Sequence, residues 1–288
     1  MRQEFKDRLK FSPLSRFLTL PRRLGDAVPY LLKRLARGVS WAISAREYVN
    51  YSYDYEDRGI ESLAALIGSV ARVAPHLVRA YADEFRQDAV FRQRHMDRMA
   101  NHPVRHISQP QLHFGKTLLY YCLIRACRPK VVFEAGTERG FGALAICRAL
   151  AKNAQDGFPG HLTTIDIDAR RGEFLEGDEG GLVTRMSGDS VAALENFDAA
   201  IDCFIHDTMN TVPHCRAQYA ALEPHLAHRA VIFSVYFEPE FRAFCERNGF
   251  PHCEYIELPK DHWSPGRNCG IALGMPLCPR TIDGKEYT

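Results

Sequence analysis

Three acids stand where an acid can do chemistry: Glu134, Asp166 and Asp207, each at or just past the end of a short apolar run. Such a run reads as a buried strand. A carboxylate at its carboxyl end lies on the edge of a parallel sheet, where open α/β folds leave their binding crevice. There it can accept hydrogen bonds from ligand hydroxyls or take up a proton. The first run, Lys130 to Glu134, continues into Gly136-Thr-Glu-Arg-Gly140-Phe-Gly142 and then a helical stretch. Gly136 and Gly140 lack a Cβ, so the turn can tighten and its backbone can approach a ligand before the helix begins. Strand, acid, glycine turn and helix in that order suit a nucleotide-like cofactor.

Two families use such a turn. Gly136-x-x-x-Gly140-x-Gly142 has the spacing of short-chain dehydrogenases, but those need a later Tyr-x-x-x-Lys pair, and no lysine here has a tyrosine four positions before it. Acid-x-Gly-x-x-x-Gly resembles motif I of the class I S-adenosylmethionine-dependent methyltransferases. That resemblance implies that Glu134, Gly136, Thr137 and Gly140 hold the methionine part of S-adenosyl-L-methionine. It also implies that Asp166, with Ile167 beside it, binds the ribose, and that Asp189 or the neighbouring amide at Ser190 meets the adenine. Local readings stand beside these: Asp168 as the N-cap of the stretch that follows it, and Asp189 or Ser190 as the cap of a helix from Val191.

The block Ile201 to His214, with Tyr219 to Leu226 after it, resembles a bacterial small-molecule branch related to catechol and caffeoyl-coenzyme-A O-methyltransferases. This sequence departs from that pattern twice. Asn210 replaces a histidine, and Ser234-Val235 stand where an acid pair would complete a divalent-metal site. One carboxylate, Asp207, is a poor anchor for Mg²⁺, so no metal site is expected. Asp207 is then the catalytic candidate, as base or acceptor-aligning group, or else a structural strand-end residue; His206 and His214 lie near it in sequence. His262 and Trp263 line the acceptor pocket or belong to an exposed hairpin loop.

These residues need a scaffold. Further strands are read at 182–187, 230–235, 253–258 and 269–274, with a helix from Pro239 to Asn248. The fold class expected is α/β: a Rossmann-like, seven-stranded, mostly parallel sheet with helices on both faces and a helical N-terminal extension. The last two strands, joined through 259–267, suit the antiparallel edge hairpin of methyltransferase sheets. The resemblance spans roughly residues 106 to 275. It divides the chain into an extension or lid, 1–105, and a cofactor-binding domain, 106–288.

Within the extension, Leu31 to Gly38 reads as an amphipathic helix with a cationic face, one that packs on this domain or a partner or rests on an anionic membrane. Pro21 and Pro29 argue against one long helix there. Tyr48, Tyr51, Tyr53 and Tyr55 cluster as a lid or a packed linker, and 59–85 has helical spacing.

A net charge of +2 with 46% hydrophobic residues excludes a generally basic nucleic-acid surface and allows one substantial core. The 9 cysteines include no Cys-x-x-Cys pair, no run approaches a spanning helix, and no signal-peptide core opens the chain. A cytoplasmic enzyme is therefore expected. It would methylate a hydroxyl, or less readily an amine, of a small metabolite or glycan-like acceptor, with a homodimer allowed for. The alternative, motivated by the two departures, is a catalytically inactive cofactor-binding scaffold.

Overall fold

The computed structural model describes residues 15–46, 52–107, 111–175, 181–274, 280–282 and 285–287. Tyr48 and Tyr51, the first residues of the basic N-terminus and part of the boundary segment near Pro110 lie outside the described residues.

Seven strands form one sheet: β1 (Val131–Ala135), β2 (His161–Asp166), β3 (Val183–Ser187), β4 (Ile201–His206), β5 (Leu226–Ser234), β6 (His252–Ile256) and β7 (Asn268–Gly274). Their order is β3-β2-β1-β4-β5-β7-β6, with β1 to β5 parallel and β7 antiparallel to both neighbours. The order reverses between β1 and β4, which opens a crevice at their carboxyl ends. A short hairpin, β8 (Arg280–Ile282) with β9 (Lys285–Tyr287), was not read from the sequence.

Strand periodicity sorts the core into two layers. Val132, Cys203, Ile205, Val231 and Phe233 face one cluster; their neighbours Phe133, Phe204 and Ile232 face the other. The extension supplies α1 (Leu20–Ser44), α2 (Asp57–Ala71), α3 (Pro75–Arg86) and α4 (Ala89–Asn101). The sheet is flanked by α5 (Gly115–Cys127), α6 (Phe141–Gln155), α7 (Ser190–Glu195), α8 (Val212–Leu222) and α9 (Pro239–Arg247). On the first face, Ile60, Leu63 and Ile67 of α2 and Phe85 of α3 pack into the same cluster as α5 and α6. These two helices of the extension therefore share the sheet's core.

One expectation is corrected: α1 runs unbroken through Pro29 over 25 residues. Pro21 falls in the first turn, where a missing N–H costs nothing, and Pro29 forfeits a single interior hydrogen bond without ending the helix. Likewise Asp168 caps no helix. Its Oδ1 accepts the Arg170 amide at 3.0 Å in a tight turn, because Gly172 and a one-turn 3₁₀ segment at Glu173–Leu175 follow.

Candidate active site

A cavity of about 420 Å³ lies over the carboxyl ends of β1 and β4. Its floor is Glu134, Gly136, Thr137 and Asp207; Lys116 and Thr117 enter from α5, and Phe91, His95 and Met99 close it from α4.

The glycine turn is shaped first by the protein itself. Gly136 has φ +102°, and a Cβ there would overlap the Asp207 carbonyl, which locks the β1 turn against the end of β4. Gly140 has φ +94° as the N-cap of α6, and its Cβ would meet Leu175 Cγ at 2.9 Å. Close approach is thus needed between segments of this chain, which adds to the reason given from sequence.

Glu134 is buried at 1% exposure, and Thr164 Oγ1 donates to its Oε2 at 2.6 Å. Burial, with Asp207 adding to it against the Thr164 hydrogen bond, pushes its carboxyl up to about 8. It therefore holds a proton at neutral pH until a cation enters the cavity. Thr137 is buried beside it, its hydroxyl 2.7 Å from that of Thr164.

Asp166 accepts the Glu138 amide at 2.8 Å through Oδ2 and the Asp168 amide at 3.0 Å through Oδ1. Each oxygen keeps a further lone pair for a ligand hydroxyl. Ile167 beside it is 77% exposed. Asp189 caps α7 by accepting the Val191 amide at 3.1 Å, and Ser190 Oγ accepts from Gln218 Nε2 at 2.6 Å. Asp166, Ile167, Asp189 and Ser190 all sit beyond the cavity wall, along the β2 and β3 edge.

Asp207 meets two residues that sequence reading missed. Lys116 Nζ donates to its Oδ2, and the Tyr120 hydroxyl donates at 3.2 Å. Burial alone would lower the Lys116 ammonium, but Asp207 raises it, so the pair is ionic. The signal was a lone lysine at the head of an otherwise apolar helix, Phe114-Gly-Lys-Thr-Leu-Leu-Tyr-Tyr. Arg267, missed as well, enters the cavity from just before β7.

The residues do not fit the divalent-metal site that the resemblance would place here. Ser234 Oγ is engaged by the Tyr236 carbonyl at 2.6 Å and by Glu238 at 3.0 Å, Val235 is apolar and buried, and Asp207 already carries an ammonium. Another group of donors among the described residues, His206, Cys215 and Glu238, packs under α8. Gln218 and Asn210 take both imidazole nitrogens of His206, while Tyr219 and Ser234 bond to Glu238. His206 and His214 stand outside the cavity wall.

His262 and Trp263 also lie behind that wall. The His262 ring is 5.2 Å from Tyr53 and 6.3 Å from Trp41, and Trp263 is 5.1 Å from Trp41, so the loop clasps α1. Tyr53 and Tyr55 both donate to the fully buried Glu257. Tyr53 reaches the cavity as well.

Residues 133–234 match a family model described as a methyltransferase domain. No curated protein matches the chain. Among solved structures, a methyltransferase from Geobacter sulfurreducens is 19% identical, with 69% of this chain and 97% of that chain covered and a TM-score of 0.47. An O-methyltransferase from Bacillus cereus, solved with S-adenosylhomocysteine, is 13% identical over 69% and 96% of the two chains, with a TM-score of 0.47. An O-methyltransferase of tomaymycin synthesis from Streptomyces achromogenes, solved with S-adenosylmethionine, is 17% identical over 66% and 91%, with a TM-score of 0.45.

Proposed function

We propose that the protein, whose residues 133–234 match a methyltransferase-domain model, transfers the methyl group of S-adenosylmethionine to a hydroxyl of a small acceptor without a metal. The observation that carries this is Asp207, an ion-paired carboxylate on the cavity floor between the glycine turn and the open β5 side.

The residues fit the cofactor. The Gly136–Gly140 turn lines the cavity with Gly136, Thr137, Glu138 and Arg139, Glu134 offers a buried carboxyl to a cationic group, and Asp166 keeps lone pairs for ribose hydroxyls. Ile167, exposed beside Asp166, and Asp189 with Ser190 at the end of β3 are proposed to flank the adenine. When bound, the cofactor supplies an electrophilic methyl on a positively charged sulfur.

The chain's own part is positioning and proton transfer. Asp207 accepts the hydroxyl proton as the acceptor oxygen bonds to the methyl carbon and the sulfur keeps the electrons of the broken bond. Lys116 and Tyr120 fix the Asp207 carboxylate in place by donating to its Oδ2. Phe91, His95 and Phe141 cover the site against water. Burial, with Arg98 nearby, lowers His95 to about 4, so it covers the site as a neutral ring.

The eight described cysteines form no disulfide with one another, which suits a cytoplasmic enzyme. The test is titration with S-adenosylmethionine followed by turnover on hydroxylated metabolites. Asp207→Asn should lower kcat by about a hundredfold or more, within the usual worth of a general base, with cofactor affinity kept. Dialysis against a chelator should leave the rate unchanged. A chelator-sensitive rate restored by Mg²⁺ would overturn the metal-free reading, and full turnover by Asp207→Asn would remove Asp207 from the chemistry.

A further inference from the structure

Arg267 is held with unusual rigidity. Its backbone carbonyl accepts the Glu257 amide at 2.9 Å, and its own amide donates to Glu257 Oε2 at 3.2 Å. Glu257 is fully buried, and its two carboxylate oxygens also accept from Tyr53 and Tyr55. The preceding Gly266 has φ +94°, and a Cβ there would overlap the Glu257 carbonyl. This framework places a guanidinium at the cavity wall, where the Glu257 and Asp207 carboxylates favour its charge without closing on it: among the described residues its N–H groups make no hydrogen bond and no ion pair within 4.0 Å. A guanidinium presents five N–H donors in a planar fork, and leaving them unmet in a cavity is costly.

Its place in the fold says which half of the cavity it serves. Arg267 precedes β7, whose Gly270 pairs with Ser234 at the carboxyl end of β5, on the far side of Asp207 from the β1 turn and β2. The cofactor residues lie on the β1–β2–β3 side. Charge agrees: the wall carries Lys116, Arg139, Arg171 and Arg267 against Glu138 and Asp207, while Glu134 is protonated. A cationic cofactor that expels the Glu134 proton leaves that excess in place, and an anionic acceptor offsets it.

The geometry points to an acceptor that bears a carboxylate or phosphate, gripped by the Arg267 fork while its hydroxyl meets Asp207. This rests on the methyl-transfer reading above. The test is calorimetric titration of wild type and Arg267→Gln with S-adenosylhomocysteine, then of each complex with inorganic phosphate and with benzoate. Expected is cofactor-product affinity within twofold between the two proteins and anion affinity at least tenfold weaker in the variant. Equal anion affinity, or no anion binding by wild type, would overturn the inference. So would a tenfold loss of S-adenosylhomocysteine affinity in the variant, since the fork would then hold the cofactor's own carboxylate. If wild type binds no S-adenosylhomocysteine, the methyl-transfer reading fails, and the anion titration of the free protein still decides the role of Arg267.

A separate observation concerns α1, in which no residue is buried. Leu20, Leu24, Val28, Leu31, Leu35 and Val39 recur at three- and four-residue spacing and are all more than 40% exposed, forming one apolar stripe about 30 Å long. The opposite face carries Arg22, Arg23, Lys33, Arg34 and Arg37 against Asp26. Part of that face docks on the catalytic domain: Arg37 pairs with Asp261, Arg34 donates to the Trp263 carbonyl at 3.3 Å, and the Trp41 ring packs at a tilt against Trp263. The stripe is therefore turned away from the protein.

We infer that the stripe lies in the interface of a bilayer containing anionic lipid, with the exposed Arg22, Arg23 and Lys33 reaching toward the headgroups. Charge favours this over a second copy, which would bring an equal excess of cations to the same helix. Vesicles of phosphatidylcholine alone, and with 30 mol% (about one lipid in three) phosphatidylglycerol, test it by sedimentation. Wild type should bind the anionic vesicles at least tenfold more tightly than neutral ones. The double variant Leu31→Glu, Leu35→Glu should lose that binding with its thermal unfolding unchanged, because both residues are exposed. Wild type left in the supernatant of both vesicle types would overturn the inference. So would a lipid-free dimer that the same substitutions dissociate.

Discussion

Glu134, on the cavity floor beside Asp207, is held protonated by its burial, and that state is testable. Burial raises Glu134 from the ordinary 4.5 to about 8, so the folded, empty protein binds one more proton than the unfolded chain between those values. Its contribution to stability is complete below about pH 4.5 and is lost as pH rises to about 8. A cationic ligand in the cavity reverses the preference and expels the proton. S-adenosylmethionine binding at pH 7 should therefore release protons, seen as an apparent enthalpy that varies with buffer ionisation heat, and Glu134→Gln should abolish that variation. A buffer-independent enthalpy in wild type would sink this account.

At Asp166 the expected effect is on affinity. Asp166→Ala should weaken cofactor binding by about 1–3 kcal/mol, since it removes charged hydrogen bonds and also frees the Glu138 amide of the turn. Asp168→Ala should change it much less, because Asp168 pairs with exposed Arg170. The reverse order would mean that the ribose lies farther along the loop. The acids were legible because each ends an apolar run. Lys116 and Arg267 were not, because contact with Asp207 and the cavity is made across 91 residues in one case and through a hairpin in the other.

At the scale of elements, periodicity carried the sheet. Alternation in β1, β4 and β5 separates two apolar layers, and the positions read for β3 and β7 agree with the structure to within a residue. What local pattern could not supply was the outcome at Pro29, where one lost hydrogen bond competes with a 25-residue helix. Nor could it show why the first glycine is needed. Gly136→Ala should strain a φ of +102° and press a methyl into the Asp207 carbonyl, moving the proposed base. We expect a stability loss of about 1–3 kcal/mol in denaturant unfolding together with a fall in kcat. A variant that loses only cofactor affinity, with stability and kcat unchanged, would assign Gly136 to ligand contact alone.

Across the whole molecule, the division at residue 105 fits composition better than packing. Phe85 of α3 stacks on Tyr121 of α5 with ring centroids 4.2 Å apart, and Arg125 of α5 pairs with Glu84 at 3.0 Å. Farther on, Tyr55 bridges to Pro259, the Glu56 amide donates to the Leu258 carbonyl at 2.8 Å, and Glu257 receives two tyrosines of the extension. Extension and sheet are thus joined through one hydrophobic cluster and one buried polar knot. Such a chain should unfold as a unit, with far-ultraviolet and near-ultraviolet circular dichroism following the same thermal curve. Glu257→Ala should lower that single transition by several degrees, since it leaves two buried tyrosine hydroxyls and the Arg267 amide without their acceptor. Two separated transitions, or a stable folded protein beginning at residue 106, would show instead that the extension is an independent domain resting on its neighbour.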